Sequence, residues 1–375
     1  MRDHDGPLPL PDQVVLGEAP VVDDPADVTP AWLTEALRAG GTDVVVSELR
    51  YERIGTGLLG ASYRFHLVAH AGPGAVAPAS VVVKMAAGSE QAREVVKLGY
   101  QTEIGFYRTF AAQTRIRRPR CWSAGISADL RDFTLVLEDA HPALPGRQTD
   151  GCTAGQAAAA VRNLAGLHAP FWNRHDLADG VDWLRGPDDA RLEFLAQVHA
   201  QGTSAFVERF GAALSPEDAD TLRRASDLLA GWAPHVRDRV SLIHGDYRLD
   251  NLLFAGDDPT VVDWQSLELG LPGRDLAYFL ATALPPAARR AHERSLVAAY
   301  HRRLTELGVD DYPLELCFHD YRVGVPQAPL LIVLGCVYAP GGQSADSDAM
   351  FLSMAANACA AIRDLGTLDL LSATP

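Results

Sequence analysis

The sequence predicts an α+β protein of two lobes: a small β-rich lobe with one helix, then a larger, mainly helical lobe, with a cleft between them. Three observations predict it. From about residue 43 to 85 the runs "VVVSELRYERI", "SYRFHLVAH" and "SVVVKMA", rich in β-branched and aromatic residues and separated by Gly/Pro/Ala turns, read as strands. Beyond Gln148 the spacing becomes helical, in "AGQAAAAVRNLAGLHAPFW", "PEDADTLRRASDLLAGWA" and "RRAHERSLVAAYHRRLTEL". Within that helical half only "SLIHGD" and "TVVDWQ" read as strands. At 375 residues the chain is long enough to give such an arrangement a sizeable core.

In chain order, residues 1–28 are rich in Pro, Asp and Gly and read as a loosely ordered arm. Thr29 and Pro30 then open a short helix, "PAWLTEALRAGG", with a capping hydroxyl, a first-turn proline and glycines at its stop. Residues 29–137 form the expected N-lobe, with its strands, a helix from about Glu90 to Ala112, and the strand "FTLVLE" at 133–138. Residues 138–375 form the expected C-lobe. Its most apolar run, "APLLIVLGCVYA" (328–339), is too short to span a bilayer and reads as a buried helix.

Composition narrows the function. The net charge of −15 disfavours a nucleic-acid partner. Residues 1–137 carry 14 basic and 16 acidic side chains, a net of −2, and residues 138–375 carry 19 and 32, a net of −13. An acidic second half serves solubility and would also attract a cationic substrate. "MRDHDGPLPL" has no apolar core of a secretory signal, and the five cysteines form no CxxC pair, so a reducing cytoplasm is expected rather than a disulfide or zinc framework. Of 33 basic residues only Lys84 and Lys97 are lysines, which makes a lysine inside an apolar strand conspicuous.

Three constellations carry chemistry. In "IGTGLLGAS", Gly55, Gly57 and Gly60 spell GxGxxG. A dinucleotide turn would need a following helix and an acidic residue about 20 positions on. Here a strand follows, and no Asp or Glu occurs between residues 61 and 89. A Walker loop would end in GK[ST], whereas this one ends Gly60-Ala61-Ser62. A strand–loop–strand flap whose backbone covers phosphates remains, alongside a plain hairpin turn. Lys84, between valines and methionine, either snorkels or points into a cleft. Glu103 falls on the same helix face as Val96, Tyr100, Phe106, Tyr107 and Phe110, so the two are expected to pair; Lys97 pairs with Glu94 on the outer face. Finally, "HGDYRLDN" (244–251) sits between "SLI" and "LLF", with Asp263 in "TVVDWQ" twelve residues beyond Asn251. Asp246 would accept a hydroxyl proton, Asn251 and Asp263 would hold Mg²⁺ through hard oxygen atoms, and Arg248 would offset charge on a transferring phosphoryl group. Taken singly, these polar residues also suit turn capping.

With these motifs in this order, the chain resembles the aminoglycoside phosphotransferase and choline kinase-like family of small-molecule kinases, which share the protein-kinase-like two-lobed fold. "HGDYRLDNLLF", "VVDWQ", "GRDLAYFL", "EIGFYRTF", "LVLEDA" and "LAGLHAPFW" look most like its ecdysteroid-kinase-like branch. The resemblance covers roughly residues 29–371. It implies Asp246 as catalytic base, Asn251 and Asp263 as magnesium ligands, and Lys84 on the α/β-phosphates held by Glu103. It also implies a glycine flap of Gly55, Gly57, Gly60 and Ser62, and adenine received by the backbone of Glu138 and Ala140. Many relatives carry a second acid two places after the metal aspartate; here Gln265 stands there, which leaves a second ion in question.

The expected activity is ATP- and Mg²⁺-dependent phosphorylation of a hydroxyl on a small molecule, either aminoglycoside-like or an apolar, steroid-like alcohol. A nucleotide-binding pseudokinase scaffold is the alternative. A Rossmann-type oxidoreductase is disfavoured by the strand after Gly60, and a protein kinase by the lack of an APE-like segment after Asp263. No membrane span is expected. His168 is read as a helix cap, His244 as a brace of its loop, and Asp275 as a tie between that loop and the next helix. Trp172, Trp264, Tyr278 and Tyr338 are read as core, with a substrate wall as the other reading.

Overall fold

The computed structural model describes residues 19–55, 60–186, 188–338 and 344–373. They fall into two compact units, Met1–Thr114 with Arg120–Asp139, and Arg115–Pro119 with Ala140–Pro375.

In the first unit, α1 (Pro30–Ala39) starts where Thr29 accepts the Trp32 N–H and Pro30 fills the first turn. Five strands make up its sheet: β1 (Val44–Ile54), β2 (Gly60–Ala71), β3 (Ser80–Ala86), β4 (Cys121–Ile126) and β5 (Phe133–Glu138). They make one antiparallel sheet in the order β1-β2-β3-β5-β4. One face packs on α1, with Leu33, Leu37, Phe65, Val81, Val83 and Trp122 in the core. Since side chains alternate along a strand, burying Val81, Val83 and Met85 places Lys84 with Val82 on the other face.

The helix expected from Glu90 to Ala112 is present in extent but not in one form. Regular α2 (Glu90–Gly105), capped by Ser89, passes into a π turn at Phe106–Phe110 and a 3₁₀ turn at Ala111–Gln113. Phe106, Tyr107 and Phe110 all lie in the core. A widened turn alters the angular spacing that a regular helix would give them.

The second unit is mainly helical: α3 (Ala154–His168), α4 (Asp189–Phe210), α5 (Pro216–Leu228), α6 (Ala233–Val236), α7 (Gly273–Ala283), α8 (Pro286–Glu306), α9 (Leu314–Gly324), α10 (Gln327–Tyr338), α11 (Ala345–Asp364) and α12 (Thr367–Ser372). Short strands interrupt it. β6 (Leu144–Pro145), β8 (Leu252–Ala255) and β9 (Asp258–Val261) form one antiparallel sheet, and β7 (Ser241–Ile243) pairs with β10 (Glu268–Gly270). Every residue of α7 is buried, so it serves as the unit's central helix. Among the described residues, Leu314–Tyr338 is long and apolar enough to cross a membrane by length and composition alone, yet 67% of its most apolar window is buried. Its second half, α10, packs on α4, α7 and α11 as core.

Candidate active site

The site residues fall into two sets, one inside each unit. In the second unit, β7 delivers the chain to Gly245, whose φ of +79° suits glycine and whose Cβ, if added, would lie 2.2 Å from the Ser266 carbonyl oxygen. Asp275, on α7, accepts the backbone N–H groups of His244 at 2.6 Å and Gly245 at 2.9 Å. Gln327 donates to the Gly245 carbonyl at 3.1 Å, and Arg274 holds the Gln327 oxygen at 2.9 and 2.7 Å. The His244 ring closes the loop from inside: Nδ1 accepts from the Asp246 N–H at 3.3 Å, which leaves Nε2 to donate to the Val262 carbonyl at 3.1 Å. His244 is thus the brace its position suggested, and Asp275 the tie.

This scaffold presents Asp246. Asn251 Nδ2 donates to its Oδ2 at 3.0 Å and to its carbonyl at 2.9 Å, while Arg248 Nε lies 3.3 Å from Oδ1. Enclosure by the protein raises the Asp246 pKa, and Asp263 adds to the rise; Arg248, His244 and the Asn251 hydrogen bond pull the other way. Arg248 is pinned by Asp250 at 2.5 Å and touches Met350 Sδ at 3.3 Å. Desolvation opposes its charge, but Asp246, Tyr278, Asp250 and Asp263 outweigh that and raise its pKa.

Asp263 lies beside Asn251, because the Val262 N–H donates to the Asn251 carbonyl at 3.0 Å. The Asp263 backbone is left-handed, φ +69°, a strained conformation of the kind held only where surroundings enforce it. With Asn251 Nδ2 committed to Asp246, its Oδ1 remains as an oxygen donor. It and the Asp263 carboxylate are hard oxygen donors of the kind Mg²⁺ prefers. Among the described residues no group of three or more His, Cys, Asp or Glu is placed to hold a metal alone. An ion on Asn251 and Asp263 therefore needs further oxygens from water or phosphate, the usual habit of Mg²⁺. Gln265 Nε2 sits 3.5 Å from Asp263 Oδ2 and brings no second carboxylate.

In the first unit Lys84 Nζ meets both Glu103 oxygens, at 2.9 and 2.7 Å, with Glu103 only 1% exposed. Ser62 is the cross-strand partner of Lys84, and a Cβ at Gly60 would come within 3.3 Å of Lys84 Cε. Gly55 follows β1 at φ +70°. Gly57 lies outside the described residues. The Glu138 N–H is already committed to the Arg120 carbonyl at 2.8 Å, so it is not open to a base. Ala140 accepts from the Ala143 N–H, and its own N–H has no hydrogen-bond partner among the described residues. Lys97 pairs with Glu94 at 2.5 Å, as its outer position suggests.

The Lys84–Glu103 pair yields a prediction. Lys84→Met is expected to cut turnover roughly 10²–10³-fold, the scale of one lost electrostatic stabiliser. Glu103→Gln should weaken the same step. The double variant should cost less than the sum by about 0.5–3 kcal/mol, the range for residues in contact. Steady-state kinetics of the four proteins measures this, and strictly additive losses would refute the coupling.

Two readings need correction. His168 is not a cap: it is fully buried, bonding Asp275 at 3.2 Å through Nε2 and the Tyr300 hydroxyl at 2.7 Å through Nδ1. Tyr338 is not core, being 48% exposed, whereas Trp264 and Tyr278 are buried. The sequence reading also missed Gln327 and Met350, which reach the loop from 82 and 102 residues away, a distance no local pattern spans.

A five-stranded antiparallel unit carrying a lysine–glutamate pair, followed by a helical unit carrying an Asp–Asn–Asp set, is a protein-kinase-like fold, and the family it matches makes its class a phosphotransferase. The Phosphotransferase enzyme family, APH, matches residues 93–312, more than half of the chain, and the protein belongs to that family. Among solved structures it is similar to a choline kinase from Cryptosporidium parvum Iowa II, at 10% identity and a TM-score of 0.50, covering 87% of this chain and 93% of that one. A putative aminoglycoside phosphotransferase from Ralstonia eutropha JMP134 is 16% identical, with a TM-score of 0.48 and coverage of 87% and 98%. Of curated proteins, Acyl-CoA dehydrogenase family member 10 of Mus musculus is 39% identical over 72 residues, 16% of this chain and 7% of that protein. The matched segment is thus a small fraction of that relative's length.

Proposed function

We propose that the protein transfers the γ-phosphoryl group of ATP to a hydroxyl of a small molecule, with Mg²⁺ as the ion. The observation that carries this reading is Asp246 held by Asn251 beside Asp263, on a loop whose backbone is fixed from three directions. In the reaction the acceptor oxygen bonds to the γ-phosphorus as the bond from that phosphorus to the β,γ-bridging oxygen breaks. ADP leaves with the electron pair, and the hydroxyl proton passes to Asp246. Arg248 offsets charge on the transferring oxygens, and Lys84, steadied by Glu103, takes the α/β-phosphates. Bound Mg²⁺ supplies charge neutralisation on the phosphates, held on the protein side by Asn251 and Asp263. An Asp246 that is fixed and partly exposed, at 25% of its side chain, supports turnover over a scaffold role.

Of the two acceptor classes, the cationic one keeps its supporting observation, the acidic half from residue 138 onward. The apolar run that would suit a steroid-like alcohol is partly taken by the core: Leu330, Ile332 and Val333 are buried, while Leu331, Leu334 and Val337 are half-buried. Five free thiols support a cytoplasmic setting. Asp263→Asn is expected to abolish Mg²⁺-supported ATP binding and turnover together. Calorimetry with Mg-ATP tests it, and unchanged affinity would move the ion elsewhere. A panel of amino-sugar and apolar alcohols, read by ADP release, tests the acceptor.

A further inference from the structure

We propose that the second unit carries an anion-binding groove, separate from the residues of the proposed reaction, that takes a small oligophosphate or similarly multivalent phosphorylated ligand. The groove has a volume of about 340 Å³ and is lined by Arg115, Arg117, Arg162 and Arg303, with Asp258 and Glu306 as its acids. Four guanidinium groups against two carboxylates give a formal surplus of +2. From residue 138 onward the chain runs the other way, with 19 basic residues against 32 acidic.

The pairing inside the groove leaves that surplus available. Arg303 is taken by Glu306 at 2.9 Å, and Arg117 reaches Asp258 only at 3.7 Å. The side chains of Arg115 and Arg162 have no hydrogen bond or ion pair among the described residues. Meanwhile the backbone beneath them is fixed. The Arg115 N–H donates to the Gly166 carbonyl at 2.8 Å, and a Cβ at Gly166 would lie 2.7 Å from the Arg115 carbonyl carbon, so segment and helix touch there. Arg162 lies one turn earlier on the same face of α3. Asn163 Oδ1 accepts the Arg117 N–H at 2.8 Å, and the Val261 N–H donates to the Arg117 carbonyl at 2.9 Å. Arginines from α3 and from a pinned segment thus converge without having to order their backbone on binding, which lowers the cost of capture. Guanidinium forks match phosphate oxygens in pairs, which favours phosphate over a simple halide. The volume is at the lower end of the roughly 300–1,000 Å³ of small-molecule pockets, and the surrounding acidity repels a long polyanion, so the occupant is small.

Titration of the full chain with tripolyphosphate tests this, read by calorimetry in parent protein and in Asp263→Asn, where the proposed reaction centre is impaired. Binding is expected to persist in Asp263→Asn and to weaken by roughly tenfold or more in Arg115→Gln/Arg162→Gln, the loss of at least one charged hydrogen bond. Arg115→Lys/Arg162→Lys should recover part of it, and affinity should fall as salt rises. Both positions are exposed, so the fold should survive, and thermal melts confirm this; Arg162→Gln alone should show a smaller loss in the same direction. Equal affinity in the double glutamine variant overturns the proposal. So does loss of binding in Asp263→Asn alone, which would put the anion at the reaction centre. Binding of heparin with no affinity for tripolyphosphate overturns it as well.

Discussion

Asp246→Asn is expected to lower kcat by roughly 10²–10⁴-fold, the usual worth of a positioned general base, with nucleotide affinity nearly unchanged. The substitution keeps the shape of the side chain, and its amide oxygen still accepts from Asn251 Nδ2, which now stands 3.0 Å from Asp246 Oδ2. What is lost is the basic oxygen and the charge facing Arg248. A pH profile separates chemistry from geometry. Enclosure raises the Asp246 pKa despite the opposing pull of Arg248, so the acid limb of kcat/KM should lie above the ordinary carboxylate range and vanish in the variant. Stability should move in the opposite direction to activity. A carboxyl with a raised folded-state pKa binds its proton more tightly folded than unfolded, so its ionisation at higher pH costs stability. At neutral pH the amide removes that cost, apart from the share Arg248 returns. Urea midpoints should therefore be equal or higher in the variant. Near-full activity in Asp246→Asn would remove the base from this reading, and a collapsed urea midpoint would make the loss structural.

Much of this arrangement was legible before any coordinates, for identifiable reasons. Lys84 was visible because it is a lone cation in an apolar strand of a chain with two lysines, and Glu103 because helical spacing put it among aromatics that are in fact buried. β4 was missed because its first five residues are all buried, so "CWSAGI" has no polar alternation to reveal a strand. β10, three residues and fully buried, has too little length for any period. The π turn at Phe106–Phe110 was invisible because the apolar pattern looks helical whichever turn width carries it. His168 was misread for another reason. Its position near a helix end suggests a cap, but its partners lie 107 and 132 residues onward in sequence. Local pattern picked out the residues proposed for the chemistry, and of those that hold the loop it gave His244 and Asp275 but missed Gln327, Met350 and the part played by His168, whose hydrogen bonds span 82 residues or more.

Among those holding residues, Asp275 should be the most costly to remove. It is fully buried and accepts three hydrogen bonds, from the N–H groups of His244 and Gly245 and from His168. Asp275→Ala leaves two backbone donors and an imidazole without their acceptor. At about 1–3 kcal/mol for each buried unsatisfied group, the two amides alone cost about 2–6 kcal/mol. Whole domains of ordinary size have about 5–15 kcal/mol in hand, so the alanine variant is expected to unfold readily or fail to accumulate. Asp275→Asn is the finer test. The His244 and Gly245 N–H groups use different carboxylate oxygens, so the one amide oxygen can accept from only one of them in place, and its NH₂ must then face the other. The expected result is a clear fall in urea midpoint, with hydrogen exchange faster at the Gly245 or His244 amide while the sheet of the first unit keeps its protection. Turnover should fall too, because Gly245 directly precedes Asp246 and a shift of the backbone there moves the carboxylate. His168→Phe, which leaves both backbone donors satisfied, should cost less than either Asp275 variant. If Asp275→Asn kept the parent midpoint and the parent protection at both amides, the carboxylate would not be what fixes this loop.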